Sequence, residues 1–77
     1  MDNQKILQAI QEEIDCHHIE VQGDGHHFNA LVVSDDFLDK NLVKRQQMVY
    51  GCVQDWIASG ELHALSIKAK TPAEWQN

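Results

Sequence analysis

The chain has 77 residues, 43% of them hydrophobic, two cysteines and a net charge of −6 with histidines neutral. That describes one thin-cored domain, near the lower limit for folding without staples. It has no apolar run of the ~20 residues a membrane helix needs, no disulfide framework, and too little positive charge for a general nucleic-acid binder. With no leader-like opening segment either, the expected location is cytoplasmic.

Charge is unevenly placed. Residues 1–39 carry nine acids against Lys5, leaving −8, while residues 40–77 carry five bases against three acids, leaving +2. Ile6, Leu7, Ala9, Ile10 and Ile14 recur at helical spacing, so residues 3–15 are expected to form an amphipathic helix. Residues 17–22 alternate, with Ile19 and Val21 on one side of a strand. Gly23-Asp24-Gly25 is turn chemistry. Residues 27–34 are the strongest strand pattern, and the two strands are close enough to form a hairpin.

Ser34-Asp35-Asp36 is expected to cap a short turn carrying Phe37 and Leu38. Residues 41–58 read as one long helix with Leu42, Val49, Cys52, Val53, Trp56 and Ile57 as its buried stripe. Gly51 inside it costs about 1 kcal/mol against alanine, and is expected to allow close packing on the sheet. Ser59-Gly60 ends the helix, and residues 62–69 form the third strand. Thr71-Pro72-Ala73-Glu74 is a helix start, with threonine as N-cap, proline at the first helical position and glutamate three residues after the cap. Trp75 is its expected apolar anchor.

The order α-β-β-(short α)-α-β-α predicts an α+β fold spanning 1–77. Its small three-stranded sheet is mixed, because the hairpin is antiparallel and a third strand arriving after a helix runs parallel to one member. The helices pack on one face.

Five histidines are the main chemical feature. His17 and His18 are adjacent and point to opposite sides of a strand. From spacing alone, His26 and His27 belong to a plain polar turn. His63 shares strand parity with Leu65 and Ile67, so spacing alone makes it a core-edge histidine bonded to backbone. No H-E-x-x-H or paired C-x-x-C exists, so a metal on His63 and a turn histidine would need further ligands from a partner. Nucleophile-elbow, P-loop and dinucleotide signatures are absent, and no enzyme is expected. Cys16 and Cys52 read as reduced, partly buried thiols. The element order is similar to that of KH nucleic-acid binders, but the G-x-x-G clamp and stacking aromatics are missing. Arg45 and its neighbouring lysines are expected on a solvated helix face.

Three segments carry a resemblance: residues 44–51 (Lys-Arg-Gln-Gln-Met-Val-Tyr-Gly), residues 62–69 (Leu-His-Ala-Leu-Ser-Ile-Lys-Ala) and residues 71–75 (Thr-Pro-Ala-Glu-Trp). Together they resemble the BolA family. The short glycine turn of residues 23–28 is similar to that of its IbaG-like bacterial branch. The resemblance implies the BolA fold, which is similar to class II KH domains. It also implies a heterodimer with a monothiol glutaredoxin around a shared [2Fe-2S] cluster.

In that arrangement the glutaredoxin supplies a cysteine thiolate and a glutathione thiolate. The family's C-terminal histidine matches His63, and the second ligand comes from the turn, where His26 and His27 are available. The isolated protein is then expected to be a cluster-free monomer. Imidazole in place of thiolate raises a cluster's potential and makes its binding pH-sensitive, in keeping with the family's association with acid stress. The alternative that the resemblance carries is a DNA-binding transcriptional regulator, with contacts from Lys40, Lys44, Arg45, Lys68 and Lys70.

Overall fold

The computed structural model describes residues 1–76. Helix α1 spans Asn3–Glu13, with Asp2 as N-cap accepting from the Lys5 N–H at 2.9 Å. Its Ile6 and Ile10, one turn apart, are fully buried. Strands β1 (His18–Gly23) and β2 (His27–Val33) form the antiparallel hairpin, and β3 (Ala64–Lys70) joins β2 in parallel. The sheet order is β1-β2-β3, the expected mixed sheet.

Pairing register sorts the side chains into two faces. Rows Ile19–Val32–Ala69, Val21–Ala30–Ile67 and Gly23–Phe28–Leu65 face the helices, where Phe28, Ala30, Val32, Leu65 and Ala69 are buried with Ile6, Ile10 and Val49. Rows Glu20–Leu31–Lys68 and Gln22–Asn29–Ser66 lie on the open face.

After β2, Ser34 does more than cap the 3-10 turn Asp35–Phe37. Its hydroxyl donates to the Asp15 carbonyl at 2.6 Å and accepts from the Asp36 N–H at 3.0 Å, while its own N–H donates to the Lys70 carbonyl at 3.0 Å.

The long helix expected over residues 41–58 is two helices, α2 (Leu42–Cys52) and α3 (Gln54–Ser59). The break is at Val53, whose backbone (φ −124°, ψ 18°) leaves the helical region while its β-branched side chain is buried in the core. The expected buried stripe fails at both ends, and only the α3 end lies beyond the break. Val49 and Val53 are buried, but Ile57 is 41% exposed and Leu42 is 68% exposed. Leu42 precedes Arg45, the first α2 side chain to reach β3. Gly51 does not serve sheet packing either, since a Cβ there would meet nothing within 4 Å.

Three α2 side chains bond alternate carbonyls of the edge strand β3. Arg45 donates to Ala69, Gln46 to Ile67 and Tyr50 to Leu65, at 3.1, 2.9 and 2.8 Å. Side chains thereby satisfy main-chain acceptors that a further strand would otherwise seek. Helix α4 (Pro72–Trp75) begins with the full capping box between Thr71 and Glu74. Trp75 anchors it by stacking rather than by burial. The residue is 42% exposed and its ring lies over His18, with centroids 4.6 Å apart and planes 16° from parallel. Val33, in the same row as His18, is fully buried. No helix among the described residues is long and apolar enough to cross a membrane.

Candidate metal site

The parallel pairing of β2 with β3 places the starts of both strands at one end of the sheet, with His27 opposite Ala64. The β1–β2 turn and the segment before β3 meet there. The turn is held by Asp24, whose carboxylate accepts from the N–H groups of His26 and His27 at 2.9 and 3.0 Å. Those two backbone donors hold the Asp24 carboxyl below its usual range, because they favour the ionised form. Two glycines are dictated here. Gly25 has φ +99°, and a Cβ on Gly23 would lie 2.4 Å from Phe28 Cδ1 and 2.6 Å from the His27 carbonyl oxygen.

His63 is not the core-edge residue that strand parity predicts. Leu62 and Leu65 are both buried, three residues apart, so His63 and Ala64 between them are both exposed. The strand starts only at Ala64. The Leu62 N–H donates to the Trp56 carbonyl at 3.0 Å, which ties the segment to α3 and leaves the His63 ring outside the core.

The turn delivers the exposed His26 to that ring. The two imidazole centroids are 5.8 Å apart, with planes 40° from parallel. Metal–imidazole bonds of about 2 Å put the centroids of two rings on one metal about 5 to 6 Å apart. The 5.8 Å spacing of this pair falls within that range. His27, also exposed, falls instead on the open-face parity of β2 with Asn29. Of the two turn histidines, the structure brings His26 to His63.

Among the described residues, no three His, Cys, Asp or Glu side chains gather to hold a metal ion. The remaining histidines are engaged elsewhere. His17 Nε2 lies 3.0 Å from Asp35 Oδ2, and His18 Nε2 lies 2.7 Å from Glu20 Oε2. The cysteines are half-buried and inert. The Cys16 thiol donates to the Ile14 carbonyl and the Cys52 thiol to the Met48 carbonyl, each at 3.3 Å. Burial, reinforced by neighbouring carboxylates, raises the Cys16 thiol and pushes Cys52 up to about 12.

Arg45 corrects the reading of a solvated basic face. Its side chain is only 13% exposed. It donates to the carbonyls of Lys40 and Ala69, forks onto both Glu74 oxygens at 2.7 and 3.3 Å, and sits 5.9 Å above the Phe37 ring. Those contacts occupy the guanidinium that a phosphate contact would need. Lys44 is exposed on α2 and Lys68 is exposed on the open sheet face, while Lys40 and Lys70 are half-buried. Sequence spacing held no signal for the Arg45 site, because its partners lie 5 to 29 residues away in the chain.

The family model for BolA-like proteins matches residues 4–74. The chain is 41% identical over 75 residues to the acid stress protein IbaG of Escherichia coli strain K12, covering 97% of this chain and 89% of that protein. It is similar in structure to the BolA domain of SufE1 from Arabidopsis thaliana, with a TM-score of 0.84 and 42% identity, over 94% of this chain and 93% of that one. A BolA protein homologue from Coxiella burnetii has a TM-score of 0.86 and 31% identity, over 100% of this chain and 99% of the other.

Proposed function

The chain belongs to the BolA family, and on that premise we propose that it is a cytoplasmic, non-enzymatic adaptor that shares a [2Fe-2S] cluster with a monothiol glutaredoxin. Iron homeostasis and the acid or oxidative stress response are the setting of that role. The observation that carries the reading is the exposed His26–His63 pair, with its centroids 5.8 Å apart at one end of the sheet. Two neutral imidazoles are sound metal ligands, but two are not a complete set. A partner bringing the other donors completes it. The inert thiols of Cys16 and Cys52 support the same division, with thiolates supplied from outside this chain.

When bound, the cluster supplies electron-transfer and iron–sulfur exchange chemistry. This chain's part is to orient and present. Asp24 fixes the turn, Gly23 and Gly25 let it close, and the Leu62 anchor fixes His63. The acid-stress setting follows the name of the Escherichia coli relative.

The test is reconstitution. Mixing the protein with a monothiol glutaredoxin, ferrous iron, sulfide and glutathione is expected to give a heterodimer. Its visible spectrum should differ from that of the glutaredoxin's own cluster. His63→Ala should return the spectrum to the glutaredoxin form, and an unaltered heterodimer spectrum in that variant refutes the assignment.

A further inference from the structure

The two edges of the sheet are finished differently. On β3 the outward carbonyls of Leu65, Ile67 and Ala69 are taken by Tyr50, Gln46 and Arg45. Strand β1 has a neighbour on one side only. Its pairing fixes which of its main-chain groups face out. The Asp24 N–H donates to the His27 carbonyl, so Asp24 turns toward β2. By alternation Gln22, Glu20 and His18 do the same. Ile19, Val21 and Gly23 therefore point their N–H and C=O groups away from the sheet, and nothing among the described residues bonds them there. Proline and lysine are common guards of such an edge, and β1 carries neither.

The open edge is complementary to itself. Set antiparallel against a second copy about Val21, Val21 meets Val21, Ile19 meets Gly23, Glu20 meets Gln22 and His18 meets Asp24. The three outward residues then exchange about six main-chain bonds with their copies. Gly23 has no side chain to crowd Ile19, and no like charges face each other. The other two-fold registers are worse. Centring on Glu20 sets that carboxylate against itself, and centring on Gln22 sets Glu20 against Asp24, both unfavourable cross-strand pairs. Centring on Ile19 asks Val21 to pair with His17, whose N–H is already given to the Val33 carbonyl.

We infer that β1 is a self-association edge, through which two copies of this chain join their sheets about Val21. The contact is isologous, and it closes at two copies because the outward carbonyls of β3 are occupied. The isolated protein then dimerises at high concentration, in place of the monomer that the family resemblance implies. This association needs no metal and no glutaredoxin, so it stands or falls separately from the functional reading above.

A short strand edge makes a weak dimer, so sedimentation equilibrium of the full chain should span about 10 μM to about 1 mM. Wild type is expected to pass from monomer to dimer across that range. Val21→Pro removes the outward N–H at the two-fold and no bond of the β1–β2 ladder, and should raise Kd at least about tenfold. Gln22 faces Glu20 of the second copy twice, by symmetry. Gln22→Lys should therefore tighten the dimer about fivefold and Gln22→Glu weaken it about fivefold. The same two changes at Ser66, exposed on the far strand of the same row, are the controls for net charge. They should move Kd less than about twofold, because Ser66 faces no residue of the second copy. Each variant is first checked for cooperative unfolding. If Val21→Pro does not fold, the opposite responses of the two Gln22 variants carry the test.

A wild type that stays monomeric over the whole range overturns the inference. So does a dimer in which the Gln22 variants behave like the Ser66 controls, since the copies then join elsewhere. A monomer whose Ile19 and Val21 amides become protected from exchange only when a monothiol glutaredoxin is added would put another protein on this edge, and overturns it too.

Discussion

At the end of the sheet where β2 and β3 finish, polar groups are tied together across the fold. Arg45 links Lys40, Ala69 and Glu74, Thr71 and Glu74 cap each other, Ser34 joins Asp15 to Lys70, and His18 stacks on Trp75. Where β2 and β3 begin, His26, His27 and His63 are all exposed, and Asp24 is what organises the turn. One end spends its polar groups on the fold, and the other leaves imidazoles free. A histidine paired like His17 or His18 has its ring nitrogen engaged within the chain. The His26 and His63 rings approach one another instead.

The contrast can be broken by substitutions at either end. The largest effect is expected from Arg45→Ala, which removes charged hydrogen bonds to two carbonyls and exposes Phe37. It should cost about 2 kcal/mol in urea unfolding, and a cost under about 0.5 kcal/mol would show that the tied end is not the anchor.

A smaller, pH-dependent effect comes from Glu74. Arg45 and then the Thr71 N–H hold its carboxyl down to about 2, against 4.5 for an ordinary glutamate. A depressed pKa contributes stability above the unfolded value, and that contribution is lost as pH falls from 4.5 through about 2. Wild type should therefore lose Tm across that window, and Glu74→Gln should lose less. Parallel curves would mean the pair contributes nothing, as with many exposed ion pairs.

Much of this architecture was legible in the sequence. The hairpin turn, the alternation of β2, the Ser34 cap and the Thr71–Glu74 box are local patterns, and local chemistry decides them. The ambiguities lay where distant contacts decide. Nothing near Arg45 in the chain announces Ala69 or Glu74. The run over residues 41–58 looks like one helix until buried Val53 breaks it and turns Ile57 outward. Strand parity alone puts His63 at the core edge, but β3 begins only at Ala64 and the buried residue before it is Leu62, so His63 is exposed at one end of the sheet. Of the candidate site, the residue types were readable, but the choice of His26 over His27 needed the geometry of a turn whose two backbone N–H groups converge on Asp24.

The most direct measurement compares three single variants, His26→Ala, His27→Ala and His63→Ala, by denaturant unfolding and by visible circular dichroism after reconstitution with a monothiol glutaredoxin. Exposed side chains without fold-bearing contacts should cost at most about 0.5 kcal/mol each. The heterodimer's signal should revert to that of the glutaredoxin's own cluster with His26→Ala and His63→Ala and be kept with His27→Ala. A signal that survives loss of His63, or that depends on His27 and not on His26, would contradict the pairing on which this account rests.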